Sequence, residues 1–282
     1  GSPLMYSIGV GLADSYSTIT KFDNPEGALN NYYEGKRIGE IWGYVTDGFI
    51  QDEAEAQRMA TIQGDISKTW KVGDIRYKDL DGVEGITSAK TIYNTGDQKV
   101  IGNTTPRYSF NINASASWKG FDVRVFFEGI AKRDLWIDSP VFWGFPSNSN
   151  VWQSAVNDYH VDNSWSENNT NAYYPLPSYS GRSKQTQTKY LQNGAYIRLK
   201  DLTISYTIPK AWISTVGIEQ LKVFASGQNL WVGTKLFKYL DPDIVSTRQS
   251  NSKDNKLVGN LTSDGKAYPF SRTFSFGINL TF

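Results

Sequence analysis

A short segment near residue 80 carries three acidic side chains in an arrangement suited to a metal ion. Asp79, Asp81 and Glu84 lie within the glycine-containing segment GDIRYKDLDGVEGI (73–86). Carboxylate oxygens are the ligands that Ca²⁺ prefers. Aspartates in such segments also accept hydrogen bonds from nearby backbone amides and so stabilise a turn. The segment therefore predicts either a Ca²⁺ site or a turn held by its own carboxylates.

Aromatic residues are concentrated between residues 133 and 193, among Asn, Ser and Pro. Flat rings beside amides and hydroxyls stack on sugars, line protein–protein interfaces, or pack a long loop against itself. The candidate contact residues, called here the loop aromatics, are Trp136, Trp143, Trp152, Trp165, Tyr173 and Tyr174. The sequence leaves open whether these rings pack the loop, contact a partner protein or bind substrate.

The composition excludes several classes of function. The chain has 282 residues, with 29 basic and 28 acidic side chains, one His and no Cys. This near-neutral balance argues against a nucleic-acid or anionic-membrane binder, and the lack of Cys excludes disulfides and thiolate metal sites. The single histidine, His160, has Asp158 and Asp162 nearby and is expected at the surface. No catalytic motif is evident, so we predict a protein that is not an enzyme.

Alternation of apolar and polar residues predicts six β-strands and an all-β fold. The last strand, residues 270–282, has one apolar face: Phe270, Phe274, Phe276, Ile278, Leu280 and Phe282. The other five strands are predicted at residues 4–12, 107–118, 121–131, 195–208 and 219–231. Only the polar segment QDEAEAQRMA (51–60) has convincing helical character.

The connections between these strands alternate between long and short. They cover residues 13–106, 119–120, 132–194, 209–218 and 232–269. Short turns on one side and long loops on the other are typical of transmembrane antiparallel up-and-down β-barrels of the outer membrane. Six strands are too few to close a wide barrel, which predicts a segment of a larger one. The alternative from another class is a soluble, aromatic-rich β-sandwich that binds carbohydrate.

Several ordered segments carry a resemblance to a known family. They are GKRIGEIWGYVTDGFIQ (35–51), GDIRYKDLDGVEGI (73–86), KVIGNTTPRYSFNINASASWKGFDVRVFFEG (99–129), GAYIRLKDLTISYTIPK (194–210), IEQLKVFASGQNLWVGTKLFKYLDPDI (218–244) and YPFSRTFSFGINLTF (268–282). Together they resemble the C-terminal portion of SusC-like TonB-dependent transporters, the outer-membrane nutrient importers of the Bacteroidetes. The resemblance covers nearly the whole chain.

The resemblance implies a fold and a function for the chain. It implies about six C-terminal strands of a barrel of about 22, with residues 1–282 forming that part and with the N-terminal plug and the earlier strands absent. It implies import driven by TonB, with a SusD-like lipoprotein as a lid over the barrel. The loop aromatics would then contact this lid or the substrate. An oligosaccharide is the favoured nutrient, and a peptide or other nutrient is the alternative.

The resemblance also implies a location and an assembly route. The chain would cross the bacterial outer membrane several times, with a periplasmic C-terminus and extracellular long loops. The terminal strand resembles the signal that the barrel assembly machinery reads, carried by Phe274, Phe276, Ile278, Leu280 and Phe282.

The acidic segment departs from the family pattern. The family pattern at this place resembles D-x-N-G-D-G-x-I. Residues 79–86 of this chain read D-L-D-G-V-E-G-I instead, with Val83 where a second Asp would fall. The ligand spacing therefore differs from that of an EF-hand-like loop.

Overall fold

The computed structural model describes residues 3–147, 151–213, 217–243 and 269–282. The strands are β1 (Met5–Ala13), β2 (Glu40–Tyr44), β3 (Thr46–Phe49), β4 (Ile75–Tyr77), β5 (Gln98–Asn103), β6 (Arg107–Trp118), β7 (Phe121–Lys132), β8 (Asp134–Leu135), β9 (Gln192–Asn193), β10 (Tyr196–Thr207), β11 (Gln220–Thr234) and β12 (Thr273–Thr281). The α-helices are α1 (Glu53–Ile62), α2 (Pro140–Trp143), α3 (Asp158–Asn163) and α4 (Lys210–Ile213), with 3₁₀ turns at Val151–Gln153 and Arg182–Lys184. In the described ranges, no helix has the length and apolar character needed to cross a membrane.

Six long strands form one antiparallel sheet, which confirms the predicted all-β meander. Its order is β1-β6-β7-β10-β11-β12, so each strand pairs with the neighbours that precede and follow it among these six. The short connections lie at one end of the sheet. At the first of them, Lys119 and Gly120 both have positive φ (49° and 88°), as a two-residue type I′ hairpin requires.

One face of this sheet is apolar and open. On β1, the side chains of Tyr6, Ile8, Val10 and Leu12 point to this face and are all exposed. On β12, Phe276 keeps 81% of its surface exposed. Continuous exposed apolar surface is rare on soluble monomers, whereas the outer surface of a membrane barrel has this character.

Irregularities in β10 and β11 explain why the alternation is imperfect there. The register of β10 against both of its neighbours shifts between Leu199 and Asp201, and Asn229 on β11 has a φ of 53°. Such bulges change the face to which later side chains point. Phe224 lies on the polar face because it alternates with Val223 and Ala225 in a regular stretch of β11. Gly277, its partner on β12, leaves room for the ring, which a Cβ there would overlap.

The hydrophobic core lies outside the six-stranded sheet. It is formed by the first loop (residues 14–106), the second loop (residues 133–195) and the start of the third loop (residues 235–243). Its fully buried large side chains include Ile41, Ile50, Ile75, Ile86, Leu135, Ile137, Phe142 and Tyr190. No residue of this core belongs to β1, β6, β7, β10, β11 or β12 as far as the structure describes them. The loops therefore fold on their own core at one end of the sheet.

Three small sheets support the loops. They pair β2 with β5, β3 with β4, and β8 with β9, and each has two strands. Helix α1 begins after Asp52, whose side chain accepts a hydrogen bond from the Glu55 backbone amide at 2.7 Å, as N-cap residues do. Within the described residues no second sheet covers the apolar face of the large sheet, so the β-sandwich alternative is not supported.

Candidate functional site

The loop aromatics divide into buried and exposed rings. Trp136, Trp143, Trp165 and Tyr174 belong to the loop core, where Trp143 keeps only 5% of its surface exposed. Tyr173 is half-buried against the same core. These five rings pack the loops, which is one of the three interpretations that the sequence left open. Trp152, by contrast, keeps 93% of its surface exposed, and it is the loop aromatic with a face free for a partner or substrate.

The buried rings make contacts both within and between the loops. Trp143 and Tyr190, both in the second loop, lie with ring centroids 4.7 Å apart. Phe142 meets Phe237 of the third loop edge to face at 5.2 Å, and Tyr44 meets Tyr77 within the first loop at 4.9 Å. Edge-to-face pairs add stability beyond the area that they bury. The ring network therefore fixes the shape of the loops at this end of the sheet.

A buried ion pair links the first and second loops. Arg182 Nε donates to Asp74 Oδ2 at 2.6 Å, and the Ser183 hydroxyl donates to Asp74 Oδ1 at 2.9 Å. The Lys71 backbone amide also donates to Asp74 Oδ2, at 2.8 Å. Asp74 is fully buried. Its charge is thus compensated by a cation and two further donors, as a buried carboxylate needs.

A second arginine holds the start of the third loop. Arg198 on β10 is buried, and its Nη2 lies 2.5 Å from Asp241 Oδ1. Its Nε lies 3.0 Å from Asp243 Oδ2, at an angle that permits charge attraction without a hydrogen bond. The Tyr196 hydroxyl donates to Asp243 Oδ1. Two acidic residues of the third loop are therefore fixed to the outer end of β10.

His160 is buried, so the expectation of a surface position was wrong. Only 2% of its surface is exposed. Its Nδ1 accepts a hydrogen bond from the Asn157 backbone amide at 3.3 Å, and its Nε2 lies 3.1 Å from the Phe142 carbonyl. These contacts require the neutral tautomer with hydrogen on Nε2. Burial lowers the pKa of His160 and favours this neutral form.

Two of the three predicted metal ligands lie beside a further carboxylate. The carboxylates of Asp79, Asp81 and Asp97 offer ligand atoms within 4.8 Å of one another. Glu84 is exposed and is not one of these three carboxylates, and its role as a ligand stays a prediction. Asp97 comes from a distant turn, which the spacing of residues 79–84 does not reveal.

The same carboxylates stabilise the backbone. Asp79 Oδ1 accepts from the Gly82 amide at 2.7 Å, and Asp81 Oδ1 accepts from the Val83 amide at 2.8 Å. Asp97 is fully buried and accepts from the amides of Leu80 and Thr87 at 2.6 and 2.7 Å. The turn interpretation thus accounts for the present contacts, and Ca²⁺ binding stays a prediction.

The terminal strand presents its apolar residues outward. Phe274, Phe276, Ile278 and Leu280 alternate on the exposed face of β12, and Phe282 follows the strand, also exposed. This geometry is compatible with an assembly signal, and that role stays a prediction.

The polar face of the sheet carries paired charges. Lys222 Nζ lies 2.7 Å from Asp122 Oδ2, and Lys200 Nζ lies 2.9 Å from Glu128 Oε1. A cavity of about 270 Å³ lies on this face, lined by Asp122, Arg124, Asp201, Thr203, Ser205, Lys222, Phe224 and Asn279. Its hydroxyl, amide and charged groups suit the water-filled interior of a barrel.

Comparisons with known proteins agree with this architecture. The chain is 30% identical over 249 residues to TonB-dependent receptor P3 of Formosa agariphila, a match that covers 88% of the chain and 22% of the receptor. It is 26% identical over 222 residues to TonB-dependent receptor P26 of the same organism, covering 75% of the chain and 20% of that receptor. The chain thus spans about a fifth of the length of these curated relatives. No family model matches the chain.

Solved structures show the same fold. The RagAB peptide importer matches with a TM-score of 0.63 in its open-open state and 0.65 in its closed-closed state, at 19% identity in both cases. These matches cover 99% and 100% of the chain and 27% and 28% of the importer chain. The chain is therefore a homologue of TonB-dependent receptors with the fold of a transporter barrel segment, which confirms the resemblance found in the sequence.

Proposed function

We propose that the chain forms part of the wall and outer surface of a TonB-dependent importer of large nutrients in the bacterial outer membrane. The observation that carries this proposal is the open apolar face of the six-stranded sheet, which ends at loops folded on their own core. That face suits lipid, and the polar face suits a water-filled interior. Residues 1–282 then belong to the barrel domain, with extracellular loops and a periplasmic C-terminus.

Import needs no covalent chemistry from this chain. The relatives are named as receptors and the solved neighbours as importers, which supports a role in transport. In the proposed mechanism, a SusD-like lipoprotein captures the nutrient over the loops, and TonB opens the path through the barrel. The barrel assembly machinery inserts the sheet into the membrane.

The nutrient class is the finer part of the proposal. The sequence favoured an oligosaccharide because of its loop aromatics, but the burial of Trp136, Trp143, Trp165 and Tyr174 removes most of that support. Trp152 alone among the six keeps an open ring for stacking on a sugar or for contact with the lid. A peptide is therefore the second candidate, and the naming of the solved neighbours as peptide importers supports it.

Uptake by cells tests both parts of the proposal. A strain lacking the gene, and the same strain complemented with it, would be given fluorescent oligosaccharides and fluorescent peptides in parallel. We expect the complemented strain to take up one class, and we expect an uncoupler of the proton gradient to abolish that uptake. Uptake that persists with the uncoupler would contradict TonB-driven import, and equal uptake by both strains would contradict the proposed role altogether.

A further inference from the structure

Two arginines share one tyrosine ring at the outer end of β1 and β6. The Cζ atom of Arg37 lies 4.9 Å from the centroid of the Tyr16 ring, and that of Arg107 lies 5.1 Å from the same centroid. Arg107 also lies over Tyr108, at 5.2 Å. Tyr16 keeps 58% of its surface exposed. This group, called here the rim cluster, therefore holds two guanidinium groups beside an accessible aromatic surface.

The charges of the rim cluster do not cancel. Arg107 is paired with Asp14, with Nη2 and Oδ2 separated by 2.5 Å. Arg37 has no ion pair with any residue that the structure describes. The nearby Glu40 instead accepts from the Arg37 backbone amide at 3.0 Å and from the Tyr33 hydroxyl at 2.6 Å. One exposed guanidinium is thus left without an anion, although the chain as a whole is nearly neutral.

The backbone fixes where Arg37 lies. Residues 17–19 and 35–38 form a short antiparallel contact, with a bridge between Thr18 and Arg37. The Ile19 amide donates to the Lys36 carbonyl, and the Ile38 amide donates to the Ser17 carbonyl, both at 2.9 Å. The backbone of Arg37 is therefore fixed, and the ring of Tyr16 beside its guanidinium gives the side chain a surface to lie against.

The rim cluster lies where the apolar face ends. Leu12 is the last apolar residue of β1 on that face and pairs with Phe110 of β6. Asp14, which binds Arg107, follows two residues after Leu12. In a membrane-spanning sheet this level is the boundary between acyl chains and headgroups, where aromatic and cationic side chains collect. A ligand at the rim cluster would therefore combine an anionic group with apolar chains.

We propose that the rim cluster binds the phosphate group of a glycolipid in the outer leaflet of the outer membrane, with Arg37 as the main donor. The guanidinium fork matches phosphate oxygens in pairs, and Arg107 adds a second, partly neutralised charge. The acyl chains lie along Leu12, Tyr108 and Phe110. This inference rests on the proposed function, because it requires the sheet to cross that membrane.

Binding by the full-length protein in detergent tests the inference. Native mass spectrometry would follow the binding of lipid A with its two phosphates, of the same lipid after phosphatase treatment, and of inorganic phosphate as competitor. Arg37→Gln is the test variant and Arg37→Lys keeps the charge without the fork. Arg58→Gln removes one exposed charge from α1 as the matched control, since Arg58 has no ion pair with the described residues.

We expect Arg37→Gln to weaken the binding of phosphorylated lipid A about tenfold. Arg37→Lys should weaken it less, and Arg58→Gln should leave it unchanged. The dephosphorylated lipid should bind all variants alike. Equal binding of phosphorylated lipid by wild type and Arg37→Gln would overturn the inference, and so would an equal loss in Arg58→Gln.

Complete displacement of the lipid by an equal concentration of inorganic phosphate would also overturn it, because the site would then take free phosphate. The measurement uses purified protein and does not depend on uptake. A protein that binds the lipid through Arg37 but imports nothing contradicts only the proposed function. A protein that imports nutrient without Arg37-dependent binding contradicts only this inference.

Discussion

The guanidinium of Arg182 lies 2.6 Å from the carboxylate of Asp74, and both side chains are buried although 108 positions separate them in the sequence. This contact makes the first and second loops one folded unit. Both loops therefore present a surface of fixed shape in this region.

Removal of one partner from this pair should strongly destabilise the loops. We expect Arg182→Met to lower the free energy of unfolding by about 3–5 kcal/mol, because the Asp74 charge then stays buried without its cation. Denaturant unfolding followed by tryptophan fluorescence measures the change. The control is Asp47→Asn, which breaks an exposed ion pair with Arg76 and should cost at most about 1 kcal/mol. Equal effects of the two variants would contradict the assigned role of Asp74.

Loop stability should fall in mild acid because of His160. Burial lowers the pKa of His160, so the unfolded chain takes up the proton more readily than the folded chain. The stability that depends on the neutral ring is complete above the unfolded pKa of about 6.5 and is lost as the pH falls below it. Lys238 also lowers this pKa by disfavouring a second positive charge, whereas the backbone hydrogen bonds to Phe142 and Val141 oppose the shift, so burial is the main cause.

Unfolding midpoints at about pH 7.5 and about pH 5.5 would measure this loss, in a range where His is the side chain that normally titrates. His160→Gln should have a lower midpoint at the higher pH and a smaller change between the two. A wild-type midpoint that is the same at both values would show that the ring does not control loop stability.

Two tryptophans of the second loop should behave in opposite ways. Trp143→Ala removes a buried ring and is expected to cost about 3–5 kcal/mol of stability. Trp152→Ala removes an exposed ring and should change stability by less than about 0.5 kcal/mol, while weakening the binding of the lid lipoprotein or of the nutrient. Unfolding and pull-down of the lid from membranes test the two effects. Unchanged lid binding and unchanged uptake in Trp152→Ala would leave this ring without a contact role.

The cluster of Asp79, Asp81 and Asp97 makes a sharp test of the calcium prediction. Isothermal titration with Ca²⁺ is expected to show binding that Asp79→Asn weakens at least about tenfold. Glu84→Gln serves as the matched control and should leave the affinity unchanged, because Glu84 lies outside the cluster. No heat signal from the wild type would leave only the turn role of these carboxylates.

The terminal residue can be tested in assembly. Phe282→Ala should reduce the amount of folded protein in the outer membrane, measured by heat-dependent migration on gels. Val10→Ala, which shortens another exposed apolar side chain at the outer face, should have little effect. Equal reductions would mean that Phe282 contributes only to the apolar surface.

The sequence predicted the large sheet well and the loops poorly, for a physical reason. Alternation located β6 and β7 to within one residue, since neighbouring side chains of a strand point to opposite faces whatever surrounds them. The loop core has no such period, because its contacts join residues that are far apart in the sequence. Phe142, for example, packs against Phe237, which lies 95 residues later. For the same reason, the polar sequence neighbours of His160 led to a wrong prediction of its exposure, and Asp97 was not predicted to lie beside Asp79. Trp152 differs from Trp136, Trp143 and Trp165 of the same loop only in its exposed position, and exposure cannot be read from residue type.

Because the core lies outside the large sheet, the sheet and the loops are stabilised in two different surroundings. The sheet has few buried side chains of its own, so its order depends on lipid or detergent around its apolar face. The loops bury their rings against one another and depend on water outside them. Conditions that strip lipid should therefore unfold the strands first, and the loop core should be the last part to lose its shape.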